Sequence, residues 1–88
     1  IKKLLSFYCN SGGFKATNNA PLPDLLSTAV ALYALGFAGY DLRIIKPGSL
    51  DFIDSLFRDG GFAGNIIDND PDIEYTFYGL LALGSLAD

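Results

Sequence analysis

The segment that begins at Gly12 recurs 48 residues later without a gap, and this duplication constrains the fold more than any other feature of the chain. Gly12-Gly13-Phe14 matches Gly60-Gly61-Phe62, Pro23-Asp24 matches Pro71-Asp72, and Thr28 matches Thr76. Leu32 matches Leu80, and Ala34-Leu35-Gly36 matches Ala82-Leu83-Gly84. A duplicated unit of this length is one supersecondary element that cannot bury its apolar face alone. The chain therefore reads as a single piece of two repeats, one over about residues 1–40 and one over about 49–88.

Each repeat opens its second half with Gly-Gly-Phe, passes through a polar stretch to Pro-Asp, and enters an apolar run. Asp24 and Asp72 stand where a carboxylate accepts the unpaired amides of a first helical turn and opposes the positive end of the helix dipole. The runs 24–38 and 72–87 are apolar on nearly every face, interrupted chiefly by Ser27, Thr28, Glu74 and Thr76, so they predict inner helices covered on several sides. Ahead of each Gly-Gly-Phe the pattern changes. Ile1, Leu4, Leu5 and Tyr8 form one stripe, and Phe52, Ile53, Leu56 and Phe57 another, each beside polar residues. These predict two outer helices, the second capped by Ser49 after Pro47-Gly48. The fold expected is all-α, in the order outer, inner, outer, inner.

Composition narrows the partners. Half of the 88 residues are hydrophobic, a heavy apolar load for a chain this small, so part of that surface is expected to lie against further repeats of a longer chain or against other copies of itself. The chain contains no Met and begins at Ile1, and is expected to be a fragment or processed product. A net charge of −4 with only six Lys and Arg argues against nucleic acid and against an anionic membrane surface. The apolar run from Leu25 to Tyr40 falls short of the ~20 residues that span a bilayer, and no signal peptide is legible. A single cysteine, Cys9, rules out an internal disulfide and leaves the cytoplasm as the expected compartment.

Gly-Gly-Phe, a loop, Asp, and then Ser-Thr-Ala or Tyr-Thr-Phe leading into an Ala/Leu/Gly-rich helix resembles the repeat of the protein prenyltransferase β-subunit and squalene (terpenoid) cyclase superfamily. Residues 60–83 carry the resemblance best and residues 12–35 next. The resemblance implies an arc of an α/α toroid, whose paired helices surround an apolar funnel that receives an isoprenoid diphosphate. It implies a segment of a farnesyl- or geranylgeranyl-transferase-like or cyclase-like enzyme; the alternative is a noncatalytic helical repeat module that binds a protein or an apolar ligand. In the transferases a catalytic zinc is held by an Asp, a Cys two residues later and a His in the next repeat. Asp24 matches the Asp, but Leu26 and Tyr75 stand in the Cys and His positions, and the chain has no histidine. No zinc or other cofactor is expected here. The acidic run Asp68-Asn69-Asp70-Pro71-Asp72 also departs from the Asp-x-Asp-Asp pattern with which the cyclases protonate their substrate.

The same run could surround a calcium ion with oxygens, yet Ile73 and Gly79 replace the Gly and Glu of an EF-hand, and a solvated turn before a capped helix accounts for it. Gly-Gly-Phe lacks the continuation of a phosphate loop and reads as a tight turn whose Phe packs between helices. Candidate catalytic residues are Asp72, Glu74 and Tyr75, at or near the start of the second inner helix. Glu74 would face a funnel mouth there, although compensation of the helix dipole explains it equally. Lys15 and Arg58, flanking the two Gly-Gly-Phe copies, are candidates for a diphosphate. Tyr33 and Tyr78 are candidates for an apolar lining, with core packing as the competing account; Tyr8 and Phe77 belong to the same aromatic set.

Overall fold

The computed structural model describes residues 2–58, 60–68 and 73–87. In chain order these form α1 (Lys2–Leu5), α2 (Leu25–Phe37), a 3-10 turn (Leu42–Ile44), α3 (Lys46–Ser55), a hairpin of β1 (Phe57–Arg58) and β2 (Gly61–Phe62), and α4 (Ile73–Leu86). Four helices with one minimal hairpin make this a small all-α domain. The two apolar runs became the two long helices, and these form the principal packed pair.

α2 starts where its sequence allows. Asp24 is extended, and its carboxylate accepts from the Ser27 N–H at 2.8 Å and from the Ser27 hydroxyl at 2.9 Å, which satisfies one of the amides that a first turn leaves unpaired. The expected capping role of Asp24 is thus present, while Asp72 lies outside the described residues. Asp24→Ala should cost about 1 kcal/mol. In a domain this size that lowers the thermal midpoint by roughly 4–8 °C. A calorimetric scan checks it, and an unchanged midpoint would show that the cap contributes nothing.

The two Gly-Gly-Phe segments are tied to the two long helices by the same bond. The Phe14 N–H donates to Thr28 Oγ1 at 2.9 Å, and the Phe62 N–H donates to Thr76 Oγ1 at 3.2 Å. Both Phe rings are buried, and each meets an aromatic ring from the preceding strand edge-on at 5.2 Å, Tyr8 for Phe14 and Phe57 for Phe62. Tyr8 bridges Phe14 and Phe57 pairs with Phe62, both antiparallel. Tyr8 and Phe57 are 49 positions apart whereas Phe14 and Phe62 are 48 apart, so the first turn holds one residue more than the second. Gly12 and Gly60 both adopt positive φ, 98° and 84°, which a residue with a Cβ enters only at a cost.

The outer helices differ from their expected form. α1 ends at Leu5, and Tyr8, expected on its stripe, lies in the extended bridge to Phe14. Phe57 likewise falls in β1 rather than on α3. The turn at each Gly-Gly pair draws the preceding residues into antiparallel pairing and stops the helix before them. Ser49 does not cap α3. The helix begins at Lys46 with Pro47 in its first turn, where a missing N–H costs nothing. Ser49 is instead fully buried, and its hydroxyl donates to the Gly12 carbonyl at 2.8 Å.

The core joins Phe14 with Leu25, Leu32 and Leu35 of α2, Ile53 and Leu56 around α3, and Ala82 and Leu86 of α4. The Leu25 N–H donates to the Gly64 carbonyl at 2.7 Å, linking the start of α2 to the loop after the second Gly-Gly-Phe. Among the described residues no buried side-chain N or O lacks a partner. The domain measures 33 × 31 × 19 Å. Since packed helices lie ~8–10 Å apart, the thin dimension holds two layers and no third. The expectation that the apolar helices are covered on several sides therefore fails on one side of each, as the exposed residues below show.

Candidate functional site

α2 presents Leu26, Val30, Tyr33 and Phe37 to solvent, the last 87% exposed. Their spacing places them on one side of the helix, roughly opposite the buried Thr28, Ala31 and Leu35. Exposed apolar stripes of this kind mark binding surfaces more often than isolated exposed leucines do. Its upper part forms one wall of a groove of about 310 Å³, whose other wall comes from Leu4 and Phe7 near α1 and whose rim carries Lys15. Its lower part, Tyr33 and Phe37, lines a second groove of about 310 Å³ with Leu32, Gly36 and Ser85. A third groove, about 590 Å³, lies between α3, the hairpin and α4, bounded by Leu50, Ile53, Phe57, Phe62, Leu80 and Leu83 with Asp51 and Asp54 beside them.

The residues singled out from sequence do not converge on one of these grooves. Lys15 borders the first and Tyr33 the second. Tyr78 is half-buried on α4, its ring edge-on to Phe77 at 5.6 Å. Tyr75 is half-buried and lies over Gly64, where an added Cβ would meet its ring at 2.7 Å. Glu74 is exposed in the first turn of α4, a placement that the helix dipole alone favours. Asp72 lies outside the described residues. The Arg58 guanidinium donates to the carbonyls of Asp68 and, at 3.2 Å, Ile66. It ties down the loop after β2, a structural use of the charge that had suggested a diphosphate.

The exposed surface of α2 is apolar and carries no charged residue that would mark it in the sequence. In sequence Val30 and Phe37 look like the rest of an all-apolar helix, and Leu26 stands out only at the Cys position of the resemblance; the signal that separates all three is their offset around the helix from the Thr28-bearing side. The ion pair of Asp41 with Arg43, at 2.9 Å, is an exposed local clasp at the 3-10 turn, and the Arg43 guanidinium holds the Asp41 carboxyl below its usual value. It lies beside a small groove of about 200 Å³ that Tyr40, Lys46 and Ser85 also line.

The donor set does not fit zinc. Leu26 is a half-exposed hydrocarbon on the α2 stripe, Tyr75 packs on Gly64, and among the described residues no three His, Cys, Asp or Glu side chains are grouped to hold a metal. Nor, among those residues, is any helix long and apolar enough to cross a membrane. Comparison with protein-family models, curated proteins and solved structures finds no match to this chain.

Proposed function

We propose that this chain is a two-repeat arc of an α/α toroid of the prenyltransferase and terpenoid-cyclase kind, a segment of a protein that handles isoprenoids. The observation that carries the reading is the duplicated tie of Gly-Gly-Phe to a helix-borne threonine, Phe14 to Thr28 and Phe62 to Thr76, set beside the uncovered Leu26, Tyr33 and Phe37 of α2. Paired inner helices with a greasy, aromatic-bearing exposed side suit a polyisoprenyl chain, which is bound by apolar area and needs few polar contacts.

Farnesyl and geranylgeranyl diphosphates, titrated against the chain and followed by tyrosine fluorescence, test this. Saturable binding is expected, weakened about tenfold by Phe37→Ser, since losing a well-buried aromatic contact of about 1.4 kcal/mol is a factor of ten. Phe37 is almost fully exposed in the free chain, so the substitution should leave the fold intact. No saturation, or equal binding by the variant, would refute the assignment.

Leu26 and Tyr75 at the metal positions favour the second reading, a helical module that holds an apolar ligand or a protein without doing chemistry. That reading predicts lipid binding unchanged by added zinc and no transfer to a thiol acceptor. Zinc-dependent transfer would overturn it.

A further inference from the structure

The repeat register identifies which two surfaces of this chain are unfinished, and the internal packing supplies a template for what completes them. α2 and α4 pack side by side, but they use different sides. On α2, Ala29 and Leu32 are both 0% exposed; their counterparts on α4, Phe77 and Leu80, are 62% and 61% exposed. Conversely, Tyr78 and Leu81 of α4 are half-buried, whereas their counterparts Val30 and Tyr33 are 53% and 58% exposed; the small residues between them, Ala31 and Gly79, are buried in both helices. So one side of α2 is covered while the same side of α4 is open, and the opposite side of α4 is largely covered while that of α2 is open at Val30.

The grooves follow the same rule. The groove at Leu80 and Leu83 corresponds to Leu32 and Leu35, both fully buried. The groove at Lys15, Val30 and Ala31 corresponds to Ala63, Tyr78 and Gly79, two of them buried and one half-buried. We infer that a second copy of this chain docks head to tail, its Val30 side entering the Leu80 groove as α4 packs against α2 within one copy. This rests on the repeat reading proposed above.

One further observation fits a second copy. It is charge. The Leu80 groove is edged by Asp51 and Asp54 and the Val30 groove by Lys15, so the two open ends carry opposite signs. A head-to-tail contact of this kind uses two different patches and propagates until the rotation closes a ring.

Light scattering on the purified chain should give a mass that is a multiple of the 9.4 kDa monomer. Leu80→Asp blocks one patch and Val30→Asp the other, at sites more than half exposed, so both variants should fold with unchanged circular dichroism and each should be monomeric. Mixed one to one, they should form a complex of twice the monomer mass and nothing larger, because each contributes its intact patch once. A wild-type chain that stays monomeric at several hundred micromolar overturns the inference, whatever the variants do. So does an oligomer that survives either substitution. Lipid binding by a monomer would overturn the docking and leave the isoprenoid reading standing; assembly without lipid binding would do the reverse.

Discussion

Gly12→Ala should destabilise the fold by about 3 kcal/mol or more, the largest effect expected of any single methyl added to this chain. Two costs combine. A Cβ at φ 98° carries the left-handed penalty of roughly 1–2 kcal/mol. It would also stand 1.9 Å from the Gly48 carbonyl oxygen, and a backbone atom cannot rotate aside as a side chain does, so α3 must shift and overpacking adds about 1–3 kcal/mol. The shift would stretch the Ser49 bond to the Gly12 carbonyl as well. With a urea slope of ~1 kcal/mol/M, the denaturation midpoint should fall by about 3 M or the variant should not fold. Gly60→Ala is the internal control. It shares the positive φ, 84°, but among the described residues nothing beyond its chain neighbours would lie within 4 Å of the new Cβ, so only the conformational cost of roughly 1–2 kcal/mol applies. Equal losses at the two glycines would mean that the close approach of Gly12 to α3 does not exist in solution.

That contrast also shows what a sequence can and cannot reveal about such a chain. Gly12 and Gly60 each open a Gly-Gly-Phe, and the duplication makes both legible as turn glycines. Their different surroundings were not legible, because Gly48 and Ser49 reach Gly12 from 36 and 37 residues away. Ser49 illustrates the same point: placed after Pro-Gly it reads as a helix cap, yet proline is comfortable inside a first turn, and the hydroxyl is used by a distant carbonyl instead. Local rules worked where the partner is local. Asp24 caps through Ser27, three residues on, and the bounds of α2 came within a residue of those expected.

Helical periodicity misled at Tyr8 and Phe57. Both continue an apolar stripe at helical spacing, but each is followed by a Gly-Gly turn whose strand partner, Phe14 or Phe62, is bonded into the start of the next helix, and that tertiary tie outweighs a weak local preference. The candidate site was less legible than the fold. Charged residues are conspicuous in a sequence this apolar, so Arg58 stood out, yet its guanidinium holds carbonyls of the loop after β2. The surface that distinguishes the molecule is built from Leu26, Val30, Tyr33 and Phe37, which look like their buried neighbours until the neighbours are placed.

Thr28→Val tests the tie itself, and should cost about 1–3 kcal/mol although it hardly changes the shape of the side chain. Thr28 is fully buried; its hydroxyl accepts from the Phe14 N–H and donates to the Asp24 carbonyl at 2.7 Å. Valine removes both bonds. The Asp24 carbonyl keeps the Thr28 backbone N–H, 3.0 Å away, whereas the Phe14 N–H loses its acceptor in a place water does not reach, and the penalty is the desolvation of that one group. Thr28→Ser reverses the trade, keeping the oxygen and losing a methyl, at about 0.8 kcal/mol before any cavity term. Valine should therefore be worse than serine, the opposite of the order that hydrophobicity alone predicts for a buried site. At Thr76 the same substitution should cost less, since the bond is longer, 3.2 Å, and only part-buried, so that water can replace the lost oxygen. Chemical denaturation of the three variants gives the order directly, and hydrogen exchange at the Phe14 amide gives the cause. A valine variant as stable as the wild type, with the Phe14 amide still protected, would show that the bond carries no part of the fold, and the duplicated tie would then be a coincidence of spacing.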